Sequence, residues 1–301
     1  MLHITRRTFI TGLAGAAATL AATGYAFGFE PRYRLRIQDY QLTPKGWTPG
    51  LKLKLAIIAD LHASEPLMPM ERVEEIVDTT NALGADAILL LGDYIASHRG
   101  VTLKATVPDV AKALARLKAP LGVHGVLGNH DWWDDDRAQR RLSGPTITHT
   151  AFRNAGLPLL ENEAIQLKKD GKPFWLAGLG DQIAFPFRHP KMGVHDMRKT
   201  LAAITDDAPA ILMAHEPDIF AHIPDRFALT LSGHTHGGQV RIFGYSPMVP
   251  SRYGNRYAYG HVIENDRHLI VSGGLGCSKL PLRFGVPPEI VVVNVGDEST
   301  S

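Results

Sequence analysis

The chain has 301 residues, 45% hydrophobic and 21% charged, with 32 basic against 30 acidic side chains and one cysteine, Cys277. That length supports one large α/β domain or two modest ones, and the composition excludes a disordered or multi-spanning membrane chain. The balanced charge offers no field for a polyanion, so no nucleic acid is expected as an obligate partner, and a lone cysteine excludes an intramolecular disulfide.

The N-terminal segment points to export. Thr5-Arg6-Arg7-Thr8-Phe9-Ile10 leads into a Gly/Ala-rich apolar stretch that reaches Phe29 and meets no charge before Glu30. This is the pattern of a twin-arginine signal, so residues 1–29 read as a signal peptide or a membrane anchor, with the twin-arginine export machinery as partner. Ala26-Phe27-Gly28 is a poor small-x-small cleavage site, which leaves a retained anchor open. The expected location is the periplasm or the outer face of the cytoplasmic membrane. Arg32, Arg34 and Arg36 pull the other way, because a positive-inside count favours association on the cytoplasmic side.

Residues 30–50 read as a strand and linker. Arg32, Arg34 and Arg36 alternate with Tyr33, Leu35 and Ile37 over residues 32–42, and a Pro/Gly-rich turn follows from Pro44 to Gly50. The main domain is expected over 51–296, with a tail at 297–301. Apolar strand-like runs recur at Leu53 to Ala59, Ala87 to Leu91, Gly122 to Leu127, Phe174 to Leu179, Ala210 to Ala214, Ala228 to Leu231, Leu269 to Val271 and Ile290 to Val295. Helical patterns lie between them at about Met70 to Leu83, Val107 to Leu117, Asp135 to Ala155 and Met197 to Ile204. Strands alternating with helices imply parallel pairing with the helices outside.

In such sheets the loops after the strand C-termini form the functional edge. Five short blocks sit there: Asp60-Leu61-His62, Gly92-Asp93, Gly128-Asn129-His130-Asp131, His215, and Gly233-His234-Thr235-His236. They supply three carboxylates, one amide and five imidazoles, enough for two adjoining metal ions and a proton donor. Asp60 and His62 are two positions apart, so an extended segment turns both to one face. His234 and His236 repeat the spacing. An aspartate after a strand, such as Asp93, can bridge two ions through its two oxygens. Taken together, the blocks read as a dinuclear metal hydrolase.

This constellation resembles the calcineurin-like metallophosphoesterase family over about Leu53 to Val295. The resemblance implies a four-layer α/β/β/α sandwich of two mixed sheets flanked by helices, with the metal site at the strand C-terminal edge. It implies that Asp60, His62, Asp93 and His236 hold a first divalent ion, and that Asp93, Asn129, His215 and His234 hold a second. Imidazole and carboxylate ligands suit Mn, Fe or Zn better than Mg or Ca. His130 is left as the general acid for the leaving oxygen, with Asp131 beside it to orient the ring. The implied activity is hydrolysis of a phosphate ester, most simply a phosphodiester, by metal-activated hydroxide. Many members carry a second acidic residue three positions after the bridging aspartate, where this chain has Ala96.

The blocks Ser232 to Gln239, Gly273 to Gly276 and Pro281 to Glu289 are similar to one branch of that family. The branch holds membrane-associated, often twin-arginine-exported phosphodiesterases and relatives assigned to UDP-2,3-diacylglucosamine hydrolysis in lipid A synthesis. A lipid-precursor pyrophosphatase at the membrane is therefore the second reading, and a lipid- or envelope-derived ester a candidate substrate. The third is a non-catalytic envelope binding protein. Other residues have plainer readings. Trp132 and Trp133 are assigned to the core rather than to a substrate wall, Asp134 to Asp136 to an exposed helix start, and Arg252, Arg256, Lys279 and Arg283 to surface solvation. His124, His222, His261 and His268 read as surface or satisfied core residues.

Overall fold

The computed structural model describes residues 5–95, 100–186 and 192–296. Ala96 and the tail at 297–301 lie outside the described residues, as do the first four positions of the N-terminal signal or anchor. In chain order the strands are β1 (Arg36–Leu42), β2 (Leu53–Ile58), β3 (Ser64–Glu65), β4 (Ala87–Leu90), β5 (Leu103–Lys104) and β6 (Val123–Gly125), then β7 (Glu163–Lys169) and β8 (Lys172–Gly178). They continue with β9 (Ala210–Met213), β10 (Phe227–Ser232), β11 (Gly260–Glu264), β12 (Arg267–Val271) and β13 (Glu289–Val295). The helices are α1 (Arg6–Gly24), α2 (Glu30–Tyr33), α3 (Met70–Ala82), α4 (Val107–Leu114), α5 (Asn129–Trp133), α6 (Asp136–Arg141), α7 (Ile147–Asn154) and α8 (Met197–Ala202).

Two mixed sheets stack face to face. The first has the order β1-β13-β2-β4-β6 and the second β11-β12-β10-β9-β8-β7, while β3 and β5 form a small ribbon. Pairing is parallel in the middle of the second sheet and among β2, β4 and β6. Antiparallel pairs join β13 to β2, β7 to β8 and β11 to β12. Mixed sheets are what the resemblance implies, and the parallel pairing expected from strand–helix alternation runs through the strands that carry the site as well as between β1 and β13.

The period of two in β2 sorts its side chains between two cores. Leu53, Leu55 and Ile57 point between the sheets, against Leu176, Met213 and Leu231. Ala56 and Ile58 point outward to Val73, Ile76 and Val77 of α3, Leu114 of α4 and Phe152 of α7. On the far side Trp175, Leu212, Leu269 and Val271 meet Phe220 and Tyr257, with Met197 and Leu201 of α8 at the edge. The result is four layers, helix, sheet, sheet, helix, as the resemblance implies. Each fully buried Leu or Ile contributes about 1.5–3 kcal/mol, so the four layers fix the strand ends firmly.

Two of the expected elements take a different form, and β3, β5, β7 and β11 are additional to those expected. The helix expected from Asp135 to Ala155 is split into α6 and α7, because Gly144-Pro145 interrupts it where proline lacks the donor a helix needs. The strand expected from residue 32 begins at Arg36: α1 runs through a π turn (Tyr25–Phe29) into α2, and Pro31 suits the first turn of that helix. Thr5 caps α1, its hydroxyl accepting from the Thr8 amide at 3.2 Å, and α1 has no buried residue.

Candidate metal centre

Asp60 follows β2, Asp93 follows β4, Asn129 and His130 follow β6, His215 follows β9, and His234 and His236 follow β10. The loops are laced together by their backbones: the Asp60 amide donates to Gly92 O (3.1 Å), His62 to Asp93 O (3.0 Å), Gly233 to His215 O (3.0 Å) and Gly276 to Asp60 O (2.7 Å). Asp60, His62, Asp93, His234 and His236 all have left-handed backbone, with φ of 50°, 45°, 57°, 70° and 52°. Side chains other than glycine and asparagine adopt this region at a cost, and such strain concentrates at functional sites. This corrects the expectation that an extended strand turns Asp60 and His62 to one face. Loop turns, not a pleat, aim these pairs.

The side chains converge in two groups. Asp60, His62 and His236 present ligand atoms within 4.8 Å of one another, as do Asp60, Asp93 and His215. His62 Nε2 lies 3.1 Å from His236 Nε2, and His236 Nε2 lies 3.5 Å from Asp60 Oδ1. Asp93 Oδ2 is 3.5 Å from His62 Nε2 and 3.3 Å from His215 Nε2. Its other oxygen, Oδ1, accepts the His130 amide at 2.8 Å. Asp93 therefore faces both groups through Oδ2. Asn129 Oδ1 stands 2.7 Å from His234 Nδ1.

The imidazoles are held from behind by backbone carbonyls. His62 Nδ1 donates to Ile95 O (3.2 Å), His215 Nδ1 to Leu91 O (2.6 Å) and His234 Nε2 to Pro250 O (3.0 Å). A carbonyl only accepts, so each ring carries a proton there and turns its other nitrogen inward. His215 Nε2 is buried and makes no hydrogen bond. Inward imidazole nitrogens facing carboxylate and amide oxygens are, once deprotonated, a donor set that fits divalent cations.

Burial pushes His62 down to about 3 and His236 well below the usual imidazole range, so both rings are neutral. Burial pushes Asp60 up to about 7. Burial opposes charge on Asp93 as well, but His215 and His130 outweigh it and hold that carboxyl well below its usual range. Burial opposes charge on His215 too, but Asp93 outweighs it and raises that ring well above the usual imidazole range. His215 thus supplies the positive charge that the buried carboxylate calls for, a place a divalent cation would take.

His130 lies at the rim. Its ring meets His62 edge-on at 5.0 Å between centroids and Trp133 at 5.2 Å. Burial lowers its pKa, but Asp93 and Asp134 outweigh burial and raise it above the ordinary imidazole value. The sequence reading gave the orienting role to Asp131. Its carboxylate instead accepts the backbone amides of Asp93 (2.8 Å), Tyr94 (3.3 Å) and Gly128 (2.9 Å), tying the β4 and β6 loops together. Asp134 Oδ2, one helical turn on from His130, is the carboxylate beside Nδ1, at 3.8 Å.

Other readings also change. Asp135 is buried, capping α6 through the amides of Arg137 and Ala138 and holding the Ile147 amide. Trp132 is a core residue as expected. Arg283, read as a surface residue, is fully buried beneath the site. It donates to the carbonyls of Gly273, Gly276 and Val286, and its Nη2 lies 3.2 Å from His236 Nδ1. Glu216 escaped the sequence reading although it adjoins His215; it forms a third group of potential ligands with His215 and His234. Arg252 and Lys279 are exposed, and Arg256 is exposed but paired with Glu264. His124 is buried against Leu121 O, and His261 stacks on His268.

A family model for calcineurin-like phosphoesterases matches residues 53–238. The chain belongs to this family. It is 31% identical over 97% of its length to a metallophosphoesterase of Bacillus subtilis, YkuE, covering 98% of that protein. It is 28% identical over 97% of its length to the phosphodiesterase YaeI of Escherichia coli, covering 99% of it. A transmembrane protein with a metallophosphoesterase domain from Danio rerio is 29% identical over 91% of this chain, which spans 59% of that protein. As a calcineurin-like phosphoesterase the chain is a hydrolase of phosphoric esters, and the family uses divalent metal ions. Its single long apolar helix among the described residues, Arg6 to Tyr33, has the length and composition of a signal sequence or a membrane span.

Proposed function

We propose that the chain is a two-metal phosphodiesterase held at the cell envelope by its N-terminal helix. Asp60, His62, His236 and Asp93 would hold one ion, and Asp93, Asn129, His215 and His234 the other. Mn, Fe or Zn suits these ligands. The observation that carries the reading is Asp93 Oδ2, which stands 3.3–3.5 Å from an imidazole nitrogen of each group. Two such ions, when bound, bring the pKa of water near neutrality and offset charge on phosphoryl oxygens. The chain's own residues do the rest. The carbonyls of Ile95, Leu91 and Pro250 fix the tautomers of His62, His215 and His234. Asp131 holds the Asp93 and Asn129 loops in register. His130, at the rim with Asp134 behind it, gives a proton to the departing oxygen.

The diester preference draws on YaeI, which is named a phosphodiesterase. Residues 1–29 are assigned as a twin-arginine signal retained as an anchor, residues 30–50 as strand and linker, 51–296 as the catalytic domain and 297–301 as a tail. Export to the periplasmic face follows from the Arg6-Arg7 motif. A pyrophosphatase acting on a UDP-linked lipid precursor would need the domain on the cytoplasmic side, so a reporter fused at the C-terminus separates the two. A non-catalytic binding protein would not need His130. The test of activity is a screen of diester, monoester and pyrophosphate bonds on protein loaded with Mn, Fe or Zn. Diester turnover that fails in His130→Ala supports the reading, and absence of turnover on every bond type with every metal refutes it.

A further inference from the structure

The hairpin tip between Ile242 and Tyr245 is built against the usual rules of folding. The Ile242 and Tyr245 backbones pair with each other, and the two residues between them, Phe243 and Gly244, have φ of 49° and 81°. Such two-residue turns favour Asn, Asp or Gly, because both positions are left-handed. Phenylalanine there is strained, and its ring is fully exposed, so the strain is not offset by burial. Tyr245 is 62% and Met248 74% exposed beside it. Apolar side chains clustered on a strained, uncovered loop mark a contact surface.

The loop's position says what covers it. Arg241 donates to Phe284 O (2.8 Å), Phe284 to Gln239 O (2.8 Å), and the Gln239 side chain clamps Leu280 and Leu282. The same segment carries the end of the N-terminal helix. The Arg283 amide donates to Ala26 O (2.9 Å), Glu30 is buried with its carboxylate on the Gly285 and Val286 amides, and the Tyr25 ring meets Phe284 edge-on. The helix end and the hairpin are thus two parts of one rim. α1 itself has 19 residues and no buried side chain, about 28 Å at the helical rise of ~1.5 Å per residue, the depth of a bilayer's hydrocarbon core. Residues 239–252 and 276–284 hold no Asp or Glu, while Arg241, Arg252 and Lys279 lie among them. A basic, apolar rim continuous with a membrane-length helix matches an anionic bilayer surface.

We propose that the 242–248 loop is a second membrane contact, which dips Phe243, Tyr245 and Met248 into the leaflet next to the end of α1. Because Pro250 holds His234 and the Met248 backbone packs on Gly238, this contact sets the metal site at headgroup level. The partner is a phospholipid bilayer with anionic headgroups.

The test uses the full chain and is independent of activity, so it stands or falls apart from the phosphoesterase reading. Phe243→Cys adds one accessible thiol, since Cys277 is buried. Asp170→Cys, on the exposed turn at the opposite end of β8, is the control. Each is labelled with an environment-sensitive fluorophore and reconstituted into phosphatidylcholine–phosphatidylglycerol vesicles, with or without nitroxide-bearing acyl chains. The proposal requires that the label at 243 shift to the blue, be quenched by the nitroxide lipid and lose its quenching by aqueous iodide, while the label at 170 stays open to iodide. Equal iodide quenching at both positions overturns it, as does failure of the chain to float with vesicles. Shielding at 243 that follows protein concentration and ignores the nitroxide lipid overturns it in favour of a second copy of the chain.

Discussion

Gly128→Ala isolates the contact between the two halves of the site. Gly128 has φ of −106°, so alanine brings no backbone strain and every consequence comes from the new methyl. That Cβ would lie 2.4 Å from Asp93 Oδ1, 2.6 Å from His215 Cε1 and 2.7 Å from His215 Nδ1. Both side chains are buried, and each is already fixed, Asp93 by the His130 amide and His215 by Leu91 O. Overpacking of this kind costs about 1–3 kcal/mol. If the displaced groups are the ones that hold metal, the cost falls on metal binding, and at ~1.4 kcal/mol per decade it amounts to a roughly 5- to 150-fold loss of affinity. Calorimetric titration of EDTA-stripped protein with Mn or Zn measures it. Gly156→Ala is the control, because Gly156 has φ of +74° and no atom within 4 Å of its added Cβ. It should lower Tm and leave metal affinity alone. Wild-type metal affinity in Gly128→Ala would refute the reasoning.

Further outcomes are expected. His130→Ala should keep its metal content while turnover falls roughly 10²- to 10⁴-fold, the range for losing a general acid; metal loss in that variant, read by elemental analysis, would show the role to be misassigned. Arg283→Met should strip the donors from the carbonyls of Gly273, Gly276 and Val286 and lose about 3 kcal/mol or more in urea unfolding; a loss under about 1 kcal/mol would show those carbonyls to be otherwise satisfied. Burial, and then Glu216, raise the Asp181 carboxyl well above its usual range. The folded chain therefore holds that proton longer than the unfolded one, and the stability it contributes is complete below a pH of about 4 and lost as pH rises toward the folded pKa. In EDTA, the Tm of Asp181→Asn should fall less steeply from pH 5 to 8 than that of the wild type, and matching slopes would count against the assignment.

The site was legible in the sequence because its residues follow apolar runs that a sheet must bury. Leu53 to Ala59 and Ala210 to Ala214 announce β2 and β9, and the chemistry begins where the apolar run stops. What was not legible depends on contacts between distant segments. Nothing local marks Arg283 as buried, since its carbonyl partners gather around it only when the long loop between β12 and β13 folds, and its remaining partner is the imidazole of His236, on another loop. Asp131 looked like a partner for His130 because it is adjacent, yet helical geometry sends neighbouring side chains apart and brings Asp134, four positions on, alongside. The left-handed turns at Asp60 and His62 were hidden as well, because residues other than glycine give no signal for positive φ. Strands β7 and β11 were missed because they lie at sheet edges, where Glu163, Gln166 and Lys168 remain in solvent and the apolar run is broken.

Whether Asp93 serves both groups is tested most directly by a metal count. Elemental analysis of wild type, Asn129→Ala and Asp93→Ala, each loaded with the same excess of Mn or Zn and then desalted, reads the occupancy of each site. About two ions per chain are expected in the wild type, about one in Asn129→Ala and none in Asp93→Ala. A wild type holding a single ion, or an Asp93→Ala variant that keeps one, would contradict a shared Asp93.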